Sequence, residues 1–533
     1  MIRPIACLLL LLVSSVGPAA AAADTIGGRV FSDNDGDGMF DAGESGIADV
    51  AVSNGRVVTR TDVGGAYRLS VQRGQTVFIV KPAGWRAAND GDRLPMFWRQ
   101  QPLALPSALK YGGLPHGAAA TRFDFPLQRE PLREGDLDVL LFGDPQPKSM
   151  TDVGYYDRDI VTPLLGRHAA RLGISLGDIV HDDLSLYPAI NASTAKLGIP
   201  WLHVAGNHDL DFDAARDEDS LSTFRRRFGP DSFAWEEARA VFVVLDDVVY
   251  RPGDKPAYVG GFRDDQFAFL EAYLSTVPKD RLLVLAMHIP LFEATPGRDT
   301  FRDADRVRLF ALLQDFPHVL VLSAHSHTQR HWFHDAGSGW HGAHPLHEYN
   351  VGAACGAFWS GVQDAAGIPD STMADGTPNG YATLRVAAEG KYALAWHPAR
   401  DARDTRIGLH APKVLRRGAW PGWAVYANVY MGRDDTRVEY RIDNGDWMPM
   451  SHVAQPDPRL VIENMNDDLA EALRGYDRSP EAEPSPHLWR GALPTDGAIG
   501  EHRIEVRAFD VWQGEVRART QYRLGAAEPG HGH

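Results

Sequence analysis

Short aliphatic runs in the middle of the chain each stop at a polar residue. They are Leu137 to Phe142, Gly173 to Leu176, Trp201 to Val204, Arg281 to Ala286 and His318 to Leu322. Such runs read as buried strands, and stretches such as Asp264 to Ser275 and Asp303 to Leu313 read as helices. The alternation predicts a layered α/β core over residues 131–405. The pattern changes on both sides. Gly27 to Phe31, Val50 to Ser53, Val57 to Thr61, Tyr67 to Val71 and Thr76 to Lys81 are short β-rich runs punctuated by Gly and Asp. They predict a small β-sandwich within residues 24–130. Residues 85–130 are rich in Pro, Gly and Ala and are expected to run extended over a neighbour. Past Ala411 the chain is β-rich again, at Ala424 to Tyr430, Arg437 to Ile442 and His502 to Ala508, which predicts a second β-sandwich over residues 406–533.

Residues 1–23 read as a signal peptide. Arg3 precedes an apolar stretch centred on Leu8 to Val13, and Ala19 to Ala23 offers small residues for cleavage before Asp24. The stretch is shorter than the roughly 20 residues a membrane span needs. The expectation is therefore an exported protein, periplasmic or secreted, with no transmembrane segment. The formal charge of −16 over 533 residues would become −17 once Arg3 is removed. That balance argues against a nucleic-acid polymer held by phosphate contacts, but not against a small phosphorylated substrate beside bound cations. Cys7 leaves with the signal peptide, so Cys355 has no intrachain partner. The oligomeric state is not legible in the sequence.

Each aliphatic run ends in residues suited to metal chemistry. The motifs are Asp144-Pro145-Gln146, Gly177-Asp178, Gly206-Asn207-His208-Asp209, Met287-His288 and Ala324-His325-Ser326-His327. Ligands gather at the carboxyl ends of strands in open α/β folds. Taken singly, Asp144 or Asp178 is an ordinary strand-end turn residue, and His288 an ordinary loop histidine. Their order along roughly residues 136–400 resembles the calcineurin-like metallophosphoesterase superfamily. Gln146 stands where that family usually has His, and Ala324 where it usually has Gly. The flanks resemble a bacterial group with an added domain on each side.

The resemblance implies a four-layer α/β/β/α core flanked by the two β-sandwiches. It assigns Asp144, Gln146, Asp178 and His327 to one metal, and Asp178, Asn207, His288 and His325 to a second. Asp178 would bridge the two. His208 would be the catalytic histidine, with Asp209 orienting its ring. The two divalent ions would be Mn, Fe or Zn, with the amide of Gln146 favouring Mn or Fe at the first site. The implied reaction is hydrolysis of a phosphate ester by a metal-bound hydroxide; the family contains both diesterases and monoesterases, so the choice stays open, with a diester the favoured of the two. Tyr349, Trp359, Asn379 and Tyr381 are candidate pocket residues, and Phe358 could stack on an organic leaving group with Tyr349 and Trp359, although core packing and turn roles serve them equally well.

Residues 33–44 match a twelve-residue calcium loop. Asp33, Asp35, Asp37, Asp41 and Glu44 fall on its side-chain ligand positions, Met39 offers its carbonyl, and Gly38 occupies the sharp turn. No helix precedes the loop, so a structural Ca²⁺ in a β domain is expected rather than an EF-hand. A solvated acidic turn is the other reading. The rival reading for the whole chain is a noncatalytic surface or glycan-binding protein that keeps the metallophosphoesterase fold.

Overall fold

The computed structural model describes residues 24–132, 135–292, 297, 300–420 and 422–526. The signal-peptide assignment lies outside them. The fold is mixed α/β and rich in sheet. No helix among the described residues is long and apolar enough to cross a membrane.

The central part holds two sheets. The first runs Trp201–Val204, Leu172–Leu176, Leu137–Phe142, Gly380–Val386 and Tyr392–Pro398 in spatial order. Its first three strands are parallel and its last two antiparallel. The second runs Phe233–Glu236, Ala240–Val244, Leu282–Ala286, Val319–Ser323, Leu346–Asn350 and Arg330–His334, with four parallel strands between antiparallel edges. The parallel strands are buried on both faces, which is why they read as unbroken aliphatic runs. Helices Asp264–Leu274 and Asp303–Leu313 fall where the sequence pattern places them. The motif residues therefore lie together at the carboxyl ends of parallel strands from both sheets.

Before this core lie two four-stranded sheets. One is ordered Ala66–Val71, Asp24–Ser32, Phe125–Arg129, Trp85–Ala87, and the other Val58–Arg60, Ala51–Ser53, Thr76–Ile79, Trp98–Gln100. The segment 85–130 is thus not a plain linker, since it supplies three of these strands. Each is only three to five residues long, and the Pro- and Gly-rich spacers hid them. The apolar interior continues from these strands into the catalytic core without a break. Phe78 meets Phe269 edge-on at 5.6 Å, and Phe97 meets Phe233 at 5.0 Å and Trp235 at 5.5 Å.

The C-terminal part has two further sheets and its own apolar cluster, which includes Val425, Trp489, Ile504 and Tyr522. Between its strands lies helix Pro458–Leu469. Pro458 presets its first turn, and Asp457 caps it by accepting from the Arg459 amide.

Candidate metal centre

Asp178 is the hub. Its Oδ1 accepts the His208 amide at 2.8 Å. Its Oδ2 accepts the Gln146 side-chain amide at 3.1 Å and lies 3.4 Å from His288 Nε2. His288 Nε2 is also 3.1 Å from Asn207 Oδ1 and 3.2 Å from His325 Nδ1. Asp144 Oδ2 accepts the His325 amide at 3.2 Å, and its Oδ1 sits 3.6 Å from His327 Nε2. All seven residues assigned to the metals thus converge.

Their backbones are unusual. Asp144, Gln146, Asp178, His325 and His327 all have left-handed φ, between 38° and 69°. Each such non-glycine residue costs on the order of 1–3 kcal/mol and persists only where neighbours over-determine it. The glycines beside them have no alternative. A Cβ on Gly206 would lie 2.2 Å from the Asp178 amide nitrogen, and one on Gly177 2.3 Å from the His288 ring. Ala324 is not left-handed, so the family's usual Gly is dispensable there.

The ligand geometry is set from behind. His288 Nδ1 donates to Leu176 O at 2.9 Å and His327 Nδ1 to Gly356 O at 2.6 Å, which turns both Nε2 atoms inward. Asp247 accepts the amides of His288 and Ile289.

The electrostatics call for cations. Burial, reinforced by Asp178, pushes the Asp144 carboxyl up to about 8. Burial would lower His288, yet Asp178 and Asp144 draw it up to about 10, so positive charge is what the cluster lacks. Burial also drives His325 down to about 3 and His327 to about 4, which keeps these imidazoles neutral, the form that binds metal. Asp144 Oδ1 is buried with no hydrogen-bond donor among the described residues. A donor set of carboxylate, amide and imidazole around an unmatched buried carboxylate oxygen fits divalent metal.

His208 and Asp209 part company. The His208 Nδ1 bonds Asp182 Oδ1 at 2.7 Å, and its ring stacks on His181 with centroids 4.2 Å apart. Burial opposes protonation of His208, but Asp178 and Asp182 outweigh it and raise its pKa. Asp209 does not orient this ring. Its carboxylate points under the loop and accepts from the Gly206 amide (2.8 Å), the Ile179 amide (3.1 Å) and Tyr187 Oη (3.0 Å). Three nearby donors hold it there, so its role is to shape the loop.

The four candidate pocket residues also need correction. Tyr349 is fully buried, stacks on His331 and donates to Gln329. Trp359 is buried and donates to Pro145 O at 3.1 Å. Asn379 is buried between Asp159, Ala354 O and Arg400. Tyr381 packs on His397 and Phe142. They brace the site from inside. The residues at its mouth are His181, Phe358 (38% exposed, 4.3 Å from the His327 ring), Lys148 over Phe358, and Tyr258 edge-on to His325. Sequence reading missed Asp182 and His181, although they follow Asp178 within four residues in the same loop. Of the three aromatics read as possible faces for an organic group, Tyr349, Phe358 and Trp359, only Phe358 stands at the mouth.

In the acidic loop, Asp33, Asp35 and Glu44 bring carboxylate oxygens within 4.8 Å of one another, and so do Asp35, Asp37 and Asp41. Asp33 and Asp37 accept the amides of Gly36 and Met39, each at 2.7 Å.

These features define a centre for divalent metal, and family models place it in a phosphoester hydrolase. Residues 34–106 match the N-terminal model of calcineurin-like phosphoesterase, 120–329 the calcineurin-like phosphoesterase model itself, and 348–515 its C-terminal model. The chain belongs to the calcineurin-like phosphoesterases, with both flanking domains. No curated protein matches it. Among solved structures, a dimetal phosphatase from Danio rerio is 14% identical and matches over 50% of this chain and 96% of its own, with a TM-score of 0.33. A purple acid phosphatase from yellow lupin (Lupinus luteus) seeds is 10% identical over 71% and 68%, with a TM-score of 0.37. A structure described as PhoD is 10% identical over 78% and 85%, with a TM-score of 0.34.

Proposed function

We propose that the chain is an exported phosphodiesterase. The observation that carries this reading is the buried cluster around Asp178, closed at its mouth by His208, His181, Phe358 and Lys148. Asp144, Gln146, Asp178 and His327 would hold one cation, and Asp178, Asn207, His288 and His325 the other. Two such cations neutralise charge on the phosphoryl oxygens and make a nucleophile available near neutral pH. Asp182 fixes Nδ1 of His208, which leaves Nε2 to give a proton to the leaving oxygen. Phe358 and the stacked His181 offer flat faces to an organic group.

The test compares bis(p-nitrophenyl) phosphate with p-nitrophenyl phosphate, using residues 24–533 loaded with Mn²⁺ and Asp178→Asn as control. Faster diester turnover that vanishes in the control is expected. Faster monoester turnover overturns the diester preference, and metal-dependent turnover surviving in the control overturns the centre. Export predicts a mature N-terminus at Asp24, which Edman sequencing of the periplasmic or secreted protein would check.

We further propose a structural Ca²⁺ held by Asp33, Asp35, Asp37, Asp41, Glu44 and the Met39 carbonyl. Support comes from the two carboxylate groupings and from Gly38, whose φ of 79° makes the turn such a loop requires.

A further inference from the structure

The loop carrying His325 and His327 is gripped from two sides. On one, Asn350 Nδ2 donates to Ser326 Oγ at 2.6 Å and to Thr328 O at 2.8 Å. On the other, Asp375 Oδ2 accepts the Gln329 amide at 2.8 Å, while its Oδ1 accepts the Thr377 amide at 2.8 Å. That second grip does not end in the catalytic part. His487, which leads into strand Leu488–Ala492 of the C-terminal part, places Nε2 3.2 Å from Asp375 Oδ2.

The His487 ring is itself fixed. Asn428 Nδ2 donates to Asp375 O at 2.9 Å and to Asp457 Oδ2 at 2.8 Å, so its Oδ1 must be the atom facing His487 Nδ1 at 2.7 Å. Asp457 is clamped by Arg459, which also reaches Gly376 O at 2.8 Å. A Cβ on Gly376 would come within 2.3 Å of Asp457 Cβ, so the two parts meet closely here. Asp375, Asn428, Asp457 and His487 are each 1% exposed. Apolar contact could join two domains without fixing direction, whereas a satisfied buried polar network fixes it. The left-handed backbones of His325 and His327 need that constraint.

We propose that His487 is a positioning residue: through Asp375 and the Gln329 amide, the C-terminal part sets the geometry of the His325–His327 loop and so the metal affinity of the centre. The proposal rests on the reading that this centre holds metal.

The test uses the chain from residue 24 to 533 and its variants His487→Ala and His487→Gln. Mn²⁺ binding is followed by calorimetry on metal-stripped protein, with thermal melting alongside. His487→Ala should weaken binding roughly 10- to 100-fold, the range for partners behind metal ligands. His487→Gln, which keeps a donor, should recover part of it. Unaltered Mn²⁺ affinity in a folded His487→Ala protein overturns the proposal. So does failure of both variants to fold, since the network would then serve folding rather than the loop. Asp178→Asn separates the two levels. If it abolishes Mn²⁺ binding while His487→Ala leaves the affinity unaltered, the positioning role fails alone. If it leaves binding intact, the metal-centre reading fails with it.

Discussion

Asp144 and Asp178 lie wholly buried at strand ends, while Asp35, Asp37 and Asp41 stand in water on the edge of the N-terminal part. Both groups are carboxylate clusters, yet they are held differently. In the exposed loop the side chains bond their own backbone, as Asp37 does with the Met39 amide. Asp41 is raised there by the charge of Asp37, with smaller contributions from its other surroundings. At the buried centre the scaffold places six of the seven residues through strained backbones or a ring fixed from behind, and burial is the main force on Asp144. An exposed cluster can be shaped by its ion. A buried one must be shaped beforehand, because uncompensated charge there is expensive.

The comparison can be broken at the buried site first. Asp178→Asn should lower turnover at least ~10³-fold, about 4 kcal/mol of barrier, with thermal melting of the metal-free chain nearly unchanged. Wild-type turnover would end the assignment of Asp178 as hub. Next come the three residues around the catalytic ring. His208→Ala should cost roughly 10²–10⁴ in kcat, the usual worth of a general acid, and Asp182→Ala less. Asp209→Ala should instead lower stability by about 1–3 kcal/mol by leaving buried donors unmatched, as read by urea unfolding. A purely kinetic effect at Asp209 would restore it to the ring.

The pH dependence sharpens the contrast. Asp144 rises from an ordinary 3.8 to about 8 in the folded chain. The metal-free folded state therefore holds a proton that the unfolded state has lost, and this contribution to stability declines as pH rises from about 4 to about 8. Metal must displace that proton and the one His288 holds up to about 10, so Mn²⁺ affinity should climb across the same window, up to a hundredfold per pH unit for two protons, and go on rising above about 8 by up to tenfold per unit until about 10. Calorimetric affinities that stay flat between pH 5 and 8 would contradict a buried, protonated Asp144. The smallest effect belongs to the exposed loop. Chelating Ca²⁺ at saturating occupancy should lower the melting temperature by a few degrees, from the ~2–3 kcal/mol of linkage expected at a hundredfold excess over Kd, and leave kcat alone. An unshifted melting curve would remove the calcium proposal.

The convergence of the seven candidate ligands was legible because they follow aliphatic strands in a fixed order, and local sequence records strand ends well. The alternation that predicted helices Asp264–Leu274 and Asp303–Leu313 is equally local. Contacts made across the fold were not legible. Asp209 adjoins His208 in sequence, yet the bond to the ring comes from Asp182, because the loop turns the Asp209 carboxylate toward the Gly206 and Ile179 amides. Tyr349, Trp359 and Tyr381 carry the aromatic signature of a pocket, but aromatics brace cores as readily, and only three-dimensional burial separates the two. Phe358, next to Trp359, takes the opposite side of that divide. The strands within residues 85–130 were too short for periodicity to register.

The unbroken apolar interior that links the N-terminal strands to the catalytic core bears on how such a chain can evolve and be re-engineered. Phe78 and Phe97 act as the missing cover of a hydrolase whose own surface at Phe233, Trp235 and Phe269 is not finished for water. Trimming the enzyme to its catalytic unit would therefore create a sticky protein rather than a smaller one. The C-terminal part, with an interior of its own, is the piece that recombination could exchange, provided the incoming domain brings a substitute for His487.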